Sequence, residues 1–569
     1  MYDVVLPWNT SLLVERLPPK LVSGFIEPLQ IVPILVATEA ESQPISLAQS
    51  VHADGVYKPL KIGGAQIYQA IYESIEAVHA KNSCVGEWED GRYHPTPTII
   101  EAALALYRGH SVSEIARNEA EDTNLSRTAS SLQTLFNDAK MSNRKLICFV
   151  TGVPGAGKTL VGLKVATDNV DKSNVLSGVY LSGNGPLVRI LQEALARDLV
   201  ARKRADKVRE NLSDARRAVK SFVQNVHHFR DYSLSHPDAA PYDHVVIFDE
   251  AQRAWSVEMT ARFVQERHQI QDFKQSEPEF LISCMERHKD WAVIVCLVGG
   301  GQEINRGEGG IREWFASVER SFPKWEIYCS PQLIGPNYLT ADDFENYENR
   351  LKVCQLEELH LATSMRSFRA SELSSMVNAI IDIDVSRAAK CYQRIKSKYP
   401  IAITRSLDRA KSWLKEQARG SERFGLVVSS SAERLRPHAI NVKSPVDPIH
   451  WFLSDKSDVR SSYYLEDVAT EFQIQGLELD WVCVTWDADL RLQSDRWSHH
   501  SFSGSSWKKV HKAEKQQYLE NAYRVLLTRA RQGMVLVVPY GSEEDPTRSK
   551  SYYDPTYRYL KSMGFPEIH

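Results

Sequence analysis

The chain has 569 residues, of which 43% are hydrophobic and 25% are charged, and its formal net charge is −3. This length exceeds what one hydrophobic core usually serves, so two to four domains are expected. A chain without a global positive charge can contact nucleic acid only through local basic patches. The eight cysteines form no CxxC pair, and no apolar run approaches 18 residues. The composition therefore argues against a disulfide framework, a zinc site and a membrane-spanning helix, and it favours a cytoplasmic protein.

The first block, residues 1–142, predicts a small mixed or helical N-terminal domain. It opens with irregular, proline-interrupted sequence and holds one buried-strand signal, IVPILVA at 31–37. From residue 98 to residue 140 the apolar residues recur at helical spacing, so we expect helices there.

The second block, residues 143–335, alternates apolar runs with longer helical segments. The predicted strands are LICFVT (146–151), GVYLSG (178–183), HVVIFDE (244–250) and AVIVCLVG (292–299). Unbroken apolar strands separated by helices indicate a parallel sheet that is covered on both faces. A helix is predicted to begin at Ser276, because Glu279 follows it at the spacing of a capping box.

The third block, residues 355–545, repeats this alternation, and residues 546–569 are expected to form a C-terminal tail. Its predicted strands are GLVVSSS (425–431), WVCVTWD (481–487) and MVLVVPY (534–540). We therefore predict an α/β protein with two parallel-sheet lobes and a nucleotide cleft between them. The polar stretches 201–243 and 487–518 have the composition of insertions at lobe edges.

Residues 152–159 read GVPGAGKT, which matches the phosphate-binding pattern G-x-x-x-x-G-K-[ST] between a strand and a helix. In such a loop the backbone N–H groups and the helix N-terminus face the phosphates. Lys158 is expected to reach the β- and γ-phosphates, and the Thr159 hydroxyl is expected to ligate Mg²⁺. The predicted ATP-binding residues are Gly152, Val153, Pro154, Gly155, Ala156, Gly157, Lys158, Thr159 and Leu160.

Two further strand ends carry candidate catalytic groups. Asp249 and Glu250 end the predicted strand HVVIF, and acids at the carboxyl ends of parallel strands lie near the phosphate site. We expect Asp249 to hold Mg²⁺ and Glu250 to orient the attacking water, against the alternative of two surface acids. Gln302 follows a strand and a glycine turn, so its amide is a candidate sensor of the γ-phosphate; a solvent-exposed turn is the alternative.

Three segments of the third block resemble motifs of superfamily 1 helicases. LATSMRSF (361–368) resembles an arginine-bearing motif, with Arg366 at the arginine position. QIQGLELDWVCV (473–484) resembles the element in which Glu478 would lie near the nucleotide sugar. YRVLLTRARQGMVLVV (523–538) resembles the element that supplies an arginine finger, here Arg529. The resemblance implies two RecA-like lobes, with both arginines acting on the γ-phosphate when the cleft closes.

From residue 93 onward the chain also resembles a narrower family, the Schlafen group 3-like DNA/RNA helicase-domain proteins. The phrases that carry this resemblance include YHPTPTIIEAALALYRGHSVSEIA (93–116), VVIFDEAQRAW (245–255) and GGGQEINRGEGGIREW (299–314). A nuclease-like segment often precedes the ATPase in that family, but residues 1–20 contain no Glu-x-Lys after a strand. We expect a truncated or degenerate remnant without nuclease activity. Two positions depart from the helicase pattern: Gln475 stands where a lysine is common, and Ser364 stands at the usual asparagine position.

Two segments are candidates for binding nucleic acid. Residues 202–220 hold eight basic side chains, including Arg202 and Arg204, although a solvated charged helix explains such a run equally well. The turn before them offers Ser182 and Asn184 as phosphate donors. Residues 497–512 interleave Trp497 and Trp507 with basic residues, which suits stacking on single-stranded bases, but their Ser and Gly content favours a flexible loop.

The leading hypothesis is an ATPase of superfamily 1 type that binds DNA or RNA, with single strands preferred, and couples lobe closure to translocation or unwinding. The alternative is a nucleotide-gated switch, for instance in bacterial defence, that hydrolyses ATP and unwinds nothing. A small-molecule kinase fits less well, because it needs no second lobe carrying Arg366 and Arg529.

Overall fold

A computed structural model gives the structure of the chain. It describes residues 32–37, 44–48, 57–78, 98–108, 119–152, 156–167, 178–299, 309–335, 338–362, 368–397 and 399–569. The chain divides into two compact units. One consists of Met1–Pro95 with Lys411–Phe424, and the other of Thr96–Ala410 with Gly425–His569.

The smaller unit contains a pair of parallel strands, β1 (Ile34–Ala37) and β2 (Leu60–Gly63), with Ile34 opposite Leu60. Helix α1 (Ile67–Val78) follows β2 after a 3-10 turn. Leu60, Ile62 and Ala70 form its small buried core. The strand predicted at 31–37 is confirmed in its last four residues.

The larger unit contains two parallel sheets, which we call the first sheet and the second sheet. The first sheet has the strand order β5-β4-β6-β7-β3-β8-β9, and β10 also pairs with β3. Its strands are β3 (Lys145–Gly152), β4 (Gly178–Ser182), β5 (Val223–Asn225), β6 (Val245–Asp249), β7 (Ala292–Leu297), β8 (Glu326–Cys329), β9 (Val353–Gln355) and β10 (His360–Leu361). Alternate residues of β3 belong to different hydrophobic clusters, so the sheet is covered on both faces as predicted.

Helices cover both faces of the first sheet. They are α2 (Ile99–Tyr107), α3 (Glu119–Ser142), α4 (Lys158–Thr167), α5 (Gly185–Ala205), α6 (Leu212–Phe222), α7 (Val226–Ser235), α8 (Val257–His268), α9 (Glu277–Glu286), α10 (Gly310–Ser321) and α11 (Ala341–Glu348). The predicted start at Ser276 is confirmed, because its hydroxyl caps α9. No helix among the described residues is long and apolar enough to cross a membrane.

Two expectations about this part of the chain need correction. Helices α2 and α3 belong to the larger unit, where α2 packs on α4 and α5, so the boundary predicted at residue 142 lies inside that unit. The polar stretch 201–243 is not an insertion, because β5 within it forms the edge strand of the first sheet. The many charged residues of this stretch lie on the solvent-facing sides of helices. The spacing of its apolar residues alone did not distinguish such helices from a loop.

The second sheet has the order β11-β18-β14-β12-β13. Its strands are β11 (Ile401–Thr404), β12 (Phe424–Val428), β13 (Val468–Thr470), β14 (Leu479–Thr485) and β18 (Ala530–Val537). The helices in this part of the larger unit are α12 (Phe368–Ile381), α13 (Val385–Ile395), α15 (Pro448–Leu453), α16 (Glu471–Ile474), α17 (Ala513–Leu527) and α18 (Lys550–Lys561). Helix α14 (Leu407–Gln417) begins in the larger unit, and its residues from Lys411 onward belong to the smaller one. The two parallel sheets confirm the predicted α/β architecture.

Residues 487–518 and the C-terminus are more regular than the sequence indicated. A three-stranded antiparallel sheet is formed by β15 (Leu490–Gln493), β16 (Arg496–Ser503) and β17 (Ser506–Lys509), so the flexible-loop alternative was wrong. The C-terminal residues are not a detached tail: α18 packs on β15, and the backbone of Ile403 in β11 exchanges hydrogen bonds with Pro566 and Ile568.

Candidate nucleotide site

The predicted phosphate-binding loop, GVPGAGKT, lies between β3 and α4, the strand and the helix that the sequence indicated. Strand β3 ends at Gly152 and helix α4 begins at Lys158, while residues 153–155 (Val153, Pro154 and Gly155) lie outside the described residues. Gly157 has φ +84°, a left-handed conformation that favours glycine. A Cβ on Gly152 would lie 2.8 Å from the Cβ of Leu361 in β10, so glycine is also needed for the close approach of these strands. Ala156 and Leu160 are buried beneath the loop.

The Lys158 side chain folds back onto this loop. Its ammonium donates a hydrogen bond to the carbonyl oxygen of Gly152 at 2.9 Å. A cation held at the N-terminus of a helix, beside backbone N–H groups, makes a favourable environment for phosphate oxygens.

Thr159 and Asp249 come together beside Lys158. The Thr159 hydroxyl lies 3.2 Å from Oδ2 and 3.4 Å from Oδ1 of Asp249, which ends β6 and is 4% exposed. Burial, followed by the negative charge of Glu250, raises the pKa of Asp249 to about 7. A buried carboxylate that is costly to ionise gains from a neighbouring cation, and hydroxyl and carboxylate oxygens are ligands that Mg²⁺ prefers. The two side chains therefore fit the predicted metal site.

Tyr180 is a member of this group that the sequence analysis missed. It lies in β4, beside β6, and its hydroxyl donates a short hydrogen bond to Oδ2 of Asp249. Burial, and then the Asp249 charge, raise the pKa of Tyr180 well above its usual value, so the phenol stays protonated and remains a donor. Nothing in the local sequence GVYLSG indicates this role, because the contact depends on the pairing of two strands.

Glu250 follows Asp249 in a strained conformation. Its φ and ψ of 55° and 46° are left-handed, which is uncommon for a residue with a Cβ and frequent at functional sites. Its carboxylate accepts a hydrogen bond from Nε2 of Gln252, whose Oε1 accepts the backbone N–H of Gly299 at 2.9 Å. Gln252, the last residue of DEAQ, received no role from the sequence, yet its buried amide joins the acid to the turn after β7.

Gln302 and Arg366 lie outside the described residues, which stop at Gly299 before the first and at Ala362 before the second. Gly299, three residues before Gln302, is held by Gln252 at the end of β7. His360 and Leu361 of β10 pair with the last two residues of β3, so the segment leading to Arg366 starts at the phosphate-binding loop.

The other two predicted residues of the second half, Glu478 and Arg529, are neighbours. The backbone N–H of Leu479, which follows Glu478, donates to the carbonyl oxygen of Arg529 at 3.1 Å. Arg529 is 4% exposed, and its guanidinium donates to the Val525 carbonyl and to the Thr528 hydroxyl. The second sheet thus brings the two motifs together where β14 and β18 begin.

A second group of possible metal ligands lies at the opposite end of the first sheet. His244, His288 and Asp290 come within 4.8 Å of one another before β6 and β7. Nδ1 of His244 lies 2.8 Å from the carbonyl oxygen of Trp291. Nε2 of His288 lies 3.2 Å from the carbonyl oxygen of Asp243. The two rings pack against each other with 4.0 Å between centroids and a 34° tilt. This arrangement favours a packed pair over a metal site.

Comparison with known proteins identifies the family. Residues 145–540 match the model of the family described as Schlafen group 3, DNA/RNA helicase domain. The chain belongs to this family. No curated protein matches the chain in sequence.

Solved structures add little to this assignment. The DUF1998 helicase MrfA bound to DNA and AMPPNP is 11% identical, over 79% of this chain and 53% of that protein, with a TM-score of 0.28. The same helicase bound to DNA alone is 11% identical over 79% and 54%, with a TM-score of 0.29. The chain thus spans about half the length of these matches. TM-scores of this size do not indicate a shared function.

The turn after β4 is one candidate nucleic-acid contact in this Schlafen group 3 chain. Ser182 is buried, and its hydroxyl accepts the backbone N–H of Asn184 at 3.2 Å. Asn184 caps α5 by accepting from Leu187, and its Nδ2 donates to the carbonyl oxygen of Gln475. Both side chains are thus engaged within the protein.

Three of the eight basic residues in segment 202–220 form ion pairs, namely Arg202, Arg216 and Arg217. Arg202 forms an ion pair with Asp198 at 2.9 Å and lies over the Tyr107 ring, while Arg216 pairs with Glu193 at 2.7 Å. Arg204 is exposed. This pattern favours the charged-helix alternative for the paired arginines and leaves Arg204 facing solvent.

The two tryptophans predicted to stack on bases lie in protein contacts. Trp497 is 8% exposed, stacks on Trp486 at 5.6 Å and donates its indole N–H to Ile381. Trp507 donates to the Thr547 carbonyl oxygen at 2.7 Å and is partly buried. The structure contradicts the prediction that Trp497 stacks on a base, because its ring is buried in the core.

Proposed function

We propose that the chain is an ATP-dependent nucleic-acid translocase or helicase of superfamily 1 type. The observation that carries the ATPase part is the meeting of Thr159 and Asp249, 3.2 Å apart, beside Lys158 and Glu250. A hydroxyl, a buried acid and a lysine at a phosphate-binding loop form the arrangement that nucleoside-triphosphate hydrolysis requires.

Each residue has a distinct role in this proposal. The Lys158 ammonium and the backbone N–H groups of the loop bind the β- and γ-phosphates, and Thr159 and Asp249 hold Mg²⁺. Bound Mg²⁺ neutralises negative charge on the phosphate oxygens. Glu250, held by Gln252, accepts a hydrogen bond from the attacking water and orients it.

The remaining catalytic groups are proposed from the motifs. Gln302 contacts the water or the γ-phosphate, while Arg366 and Arg529 stabilise the charge that develops on the transferred group. Glu478 lies at the nucleotide sugar. Arg529 directly precedes β18 of the second sheet, so the rate of hydrolysis depends on how the two sheets are docked. A nucleic-acid motor requires such a coupling between hydrolysis and the relative position of its lobes.

DNA or RNA is the proposed partner, and the family assignment over residues 145–540 is what supports it. The alternative, a switch that hydrolyses ATP without unwinding, is favoured by one observation. Arg202 and Trp497, two of the predicted nucleic-acid contacts, are engaged within the protein.

One set of ATPase assays separates these functions. Purified protein is assayed with Mg²⁺ and ATP, alone and with single-stranded DNA or RNA, and unwinding of a tailed duplex is measured in parallel. We expect hydrolysis that nucleic acid stimulates. A rate that no nucleic acid changes would contradict the motor and favour the switch.

Lys158→Ala tests the nucleotide site itself. We expect this variant to lose hydrolysis, because the γ-phosphate loses its cation. Lys164→Ala, in the same helix α4, is the matched control and should keep the wild-type rate. Wild-type turnover in Lys158→Ala would rule out the assignment of the phosphate-binding loop.

A further inference from the structure

Gln475 joins the two sheets of the larger unit by two hydrogen bonds. It follows helix α16 and is 5% exposed. Its side-chain Oε1 accepts a hydrogen bond from Nη1 of Arg253 at 2.6 Å, and its backbone carbonyl accepts one from Nδ2 of Asn184. One residue of the second half is therefore tied to two separate segments of the first sheet.

Both of those segments border the nucleotide site. Arg253 ends the 3-10 turn that begins just after Glu250, and its backbone N–H donates to the Glu250 carbonyl oxygen at 2.8 Å. Asn184 follows β4, whose Ser182 is paired with Asp249. Gln475 is therefore hydrogen-bonded to two segments that lie beside the backbone of Asp249 and Glu250.

The other side of Gln475 leads to the predicted arginine finger. Gly476 has φ +76°, and a Cβ there would lie 3.2 Å from Cδ2 of Leu187 and 3.4 Å from Nδ2 of Asn184. Glycine thus lets the backbone approach helix α5 closely. Three residues later, Leu479 is hydrogen-bonded to the carbonyl oxygen of Arg529. The path from Glu250 to Arg529 runs through Gln475 and consists of covalent bonds and hydrogen bonds only.

The chemistry of the contact requires a hydrogen-bond acceptor at position 475. Arg253 is always cationic and can only donate, so its buried partner must be an acceptor. A lysine at position 475 would bring a second cation to the same place. Nε2 of Gln475 is buried and has no hydrogen-bond partner among the described residues. A buried donor without an acceptor is unfavourable, so an arrangement that offers Nε2 an acceptor would stabilise the amide.

We propose that Gln475 is a positioning residue, which sets Glu250 for hydrolysis only while the second sheet is docked on the first. This inference rests on the proposed ATPase function and assigns its coupling to one contact. Gln475 touches neither nucleotide nor water in this proposal; it acts through Arg253.

The test uses four variants of the full chain. Gln475→Lys places a cation against Arg253, whereas Gln475→Glu keeps the acceptor. The double exchange Arg253→Gln with Gln475→Arg restores a donor and an acceptor with their positions reversed. Gln265→Lys, an exposed glutamine in α8, is the matched control for an added charge. The readouts are kcat, KM for ATP, nucleotide affinity and the ratio of nucleic-acid-stimulated to basal rate.

We expect Gln475→Lys to lower kcat on the order of tenfold to a hundredfold, the loss that a misplaced catalytic group causes. Its nucleotide affinity should stay close to wild type, and its stimulation by nucleic acid should disappear. Gln475→Glu and Gln265→Lys should keep both rate and stimulation, and the double exchange should recover most of the lost kcat. If Gln475 had only a structural role, Gln475→Lys would lower the melting temperature, and it would not lower kcat while leaving nucleotide affinity unchanged.

The outcomes distinguish this inference from the function on which it rests. A wild-type protein without ATPase activity overturns the proposed function before any variant is assayed. An active wild type with an unchanged Gln475→Lys variant overturns the role of Gln475, and so does a double exchange that recovers nothing. If Gln475→Lys does not fold, Gln475→Asn, which withdraws the amide by one methylene, must show the same loss of kcat.

Discussion

Replacing Tyr180 by phenylalanine should make nucleotide binding sensitive to pH. The substitution keeps the ring in the core of the first sheet and removes only the hydroxyl that donates to Asp249. That hydrogen bond favours the ionised carboxylate, so its loss raises the pKa of Asp249 further above the present value of about 7.

The size of the effect follows from the charge on the acceptor. A hydrogen bond to a charged group contributes about 1.5–3 kcal/mol, and one pKa unit corresponds to about 1.4 kcal/mol, so the pKa should rise by roughly 1–2 units. At pH 7 about half of the wild-type Asp249 is ionised, whereas the variant would be ionised to about 1–10%. Because Mg²⁺ binds the carboxylate form, its apparent affinity should fall about fivefold to fiftyfold at pH 7. At pH 9 the carboxylate is at least about half ionised in the variant, and the difference should shrink to about twofold.

The assay is Mg²⁺-dependent binding of a fluorescent, non-hydrolysable ATP analogue between pH 6 and pH 9. The control is Tyr328→Phe, a tyrosine of β8 that hydrogen-bonds Arg144 and not Asp249. A loss of affinity that is equal at every pH would show that the hydroxyl acts on packing alone. No loss at pH 7 would refute the role of Tyr180.

Three further substitutions test the site. Gln252→Ala should lower kcat on the order of tenfold with nucleotide affinity retained, because Glu250 loses its orienting amide; equal losses in single-turnover rate and binding would contradict this. Arg529→Ala should spare ATP binding and reduce turnover by about 10³–10⁵, and a parallel loss of binding would make the residue structural. Gly152→Ala should destabilise the protein by about 1–3 kcal/mol, because the new Cβ would clash with Leu361, and the melting temperature should fall. An unchanged melting temperature would show that β10 can shift to accommodate the Cβ without loss of stability.

The strand-to-strand contacts explain why part of the site escaped prediction. A motif is recognised when its residues are adjacent in sequence, as in GVPGAGKT and DEAQ. Tyr180 reaches Asp249 only because β4 pairs with β6, and Gln475 reaches Arg253 across 222 positions. Periodicity reports burial and element type, but it does not report which distant element covers a given side chain.

The same limit applies to the candidate nucleic-acid segments. Residues 497–512 have the composition of a loop, yet pairing of β16 with β17 and the burial of Trp497 against Trp486 override that local preference. Arg202 has the charge of a phosphate contact, but a helical turn places it against Asp198. Local composition did not show whether these side chains contact nucleic acid or the rest of the protein, because tertiary packing determines which groups lie beside them.

By itself the sequence determined the strand–loop–helix that contains GVPGAGKT, the acids at the end of β6 and the alternation that builds two parallel sheets. These features depend on residues within a few positions of one another, where backbone preference and hydrophobic period act directly. Only the tertiary structure decided that Tyr180 hydrogen-bonds Asp249, that Gln252 hydrogen-bonds Glu250, and that Gln475 links Arg253 to the segment that is hydrogen-bonded to Arg529. Those contacts depend on the register of distant strands, which is fixed only when the whole core packs.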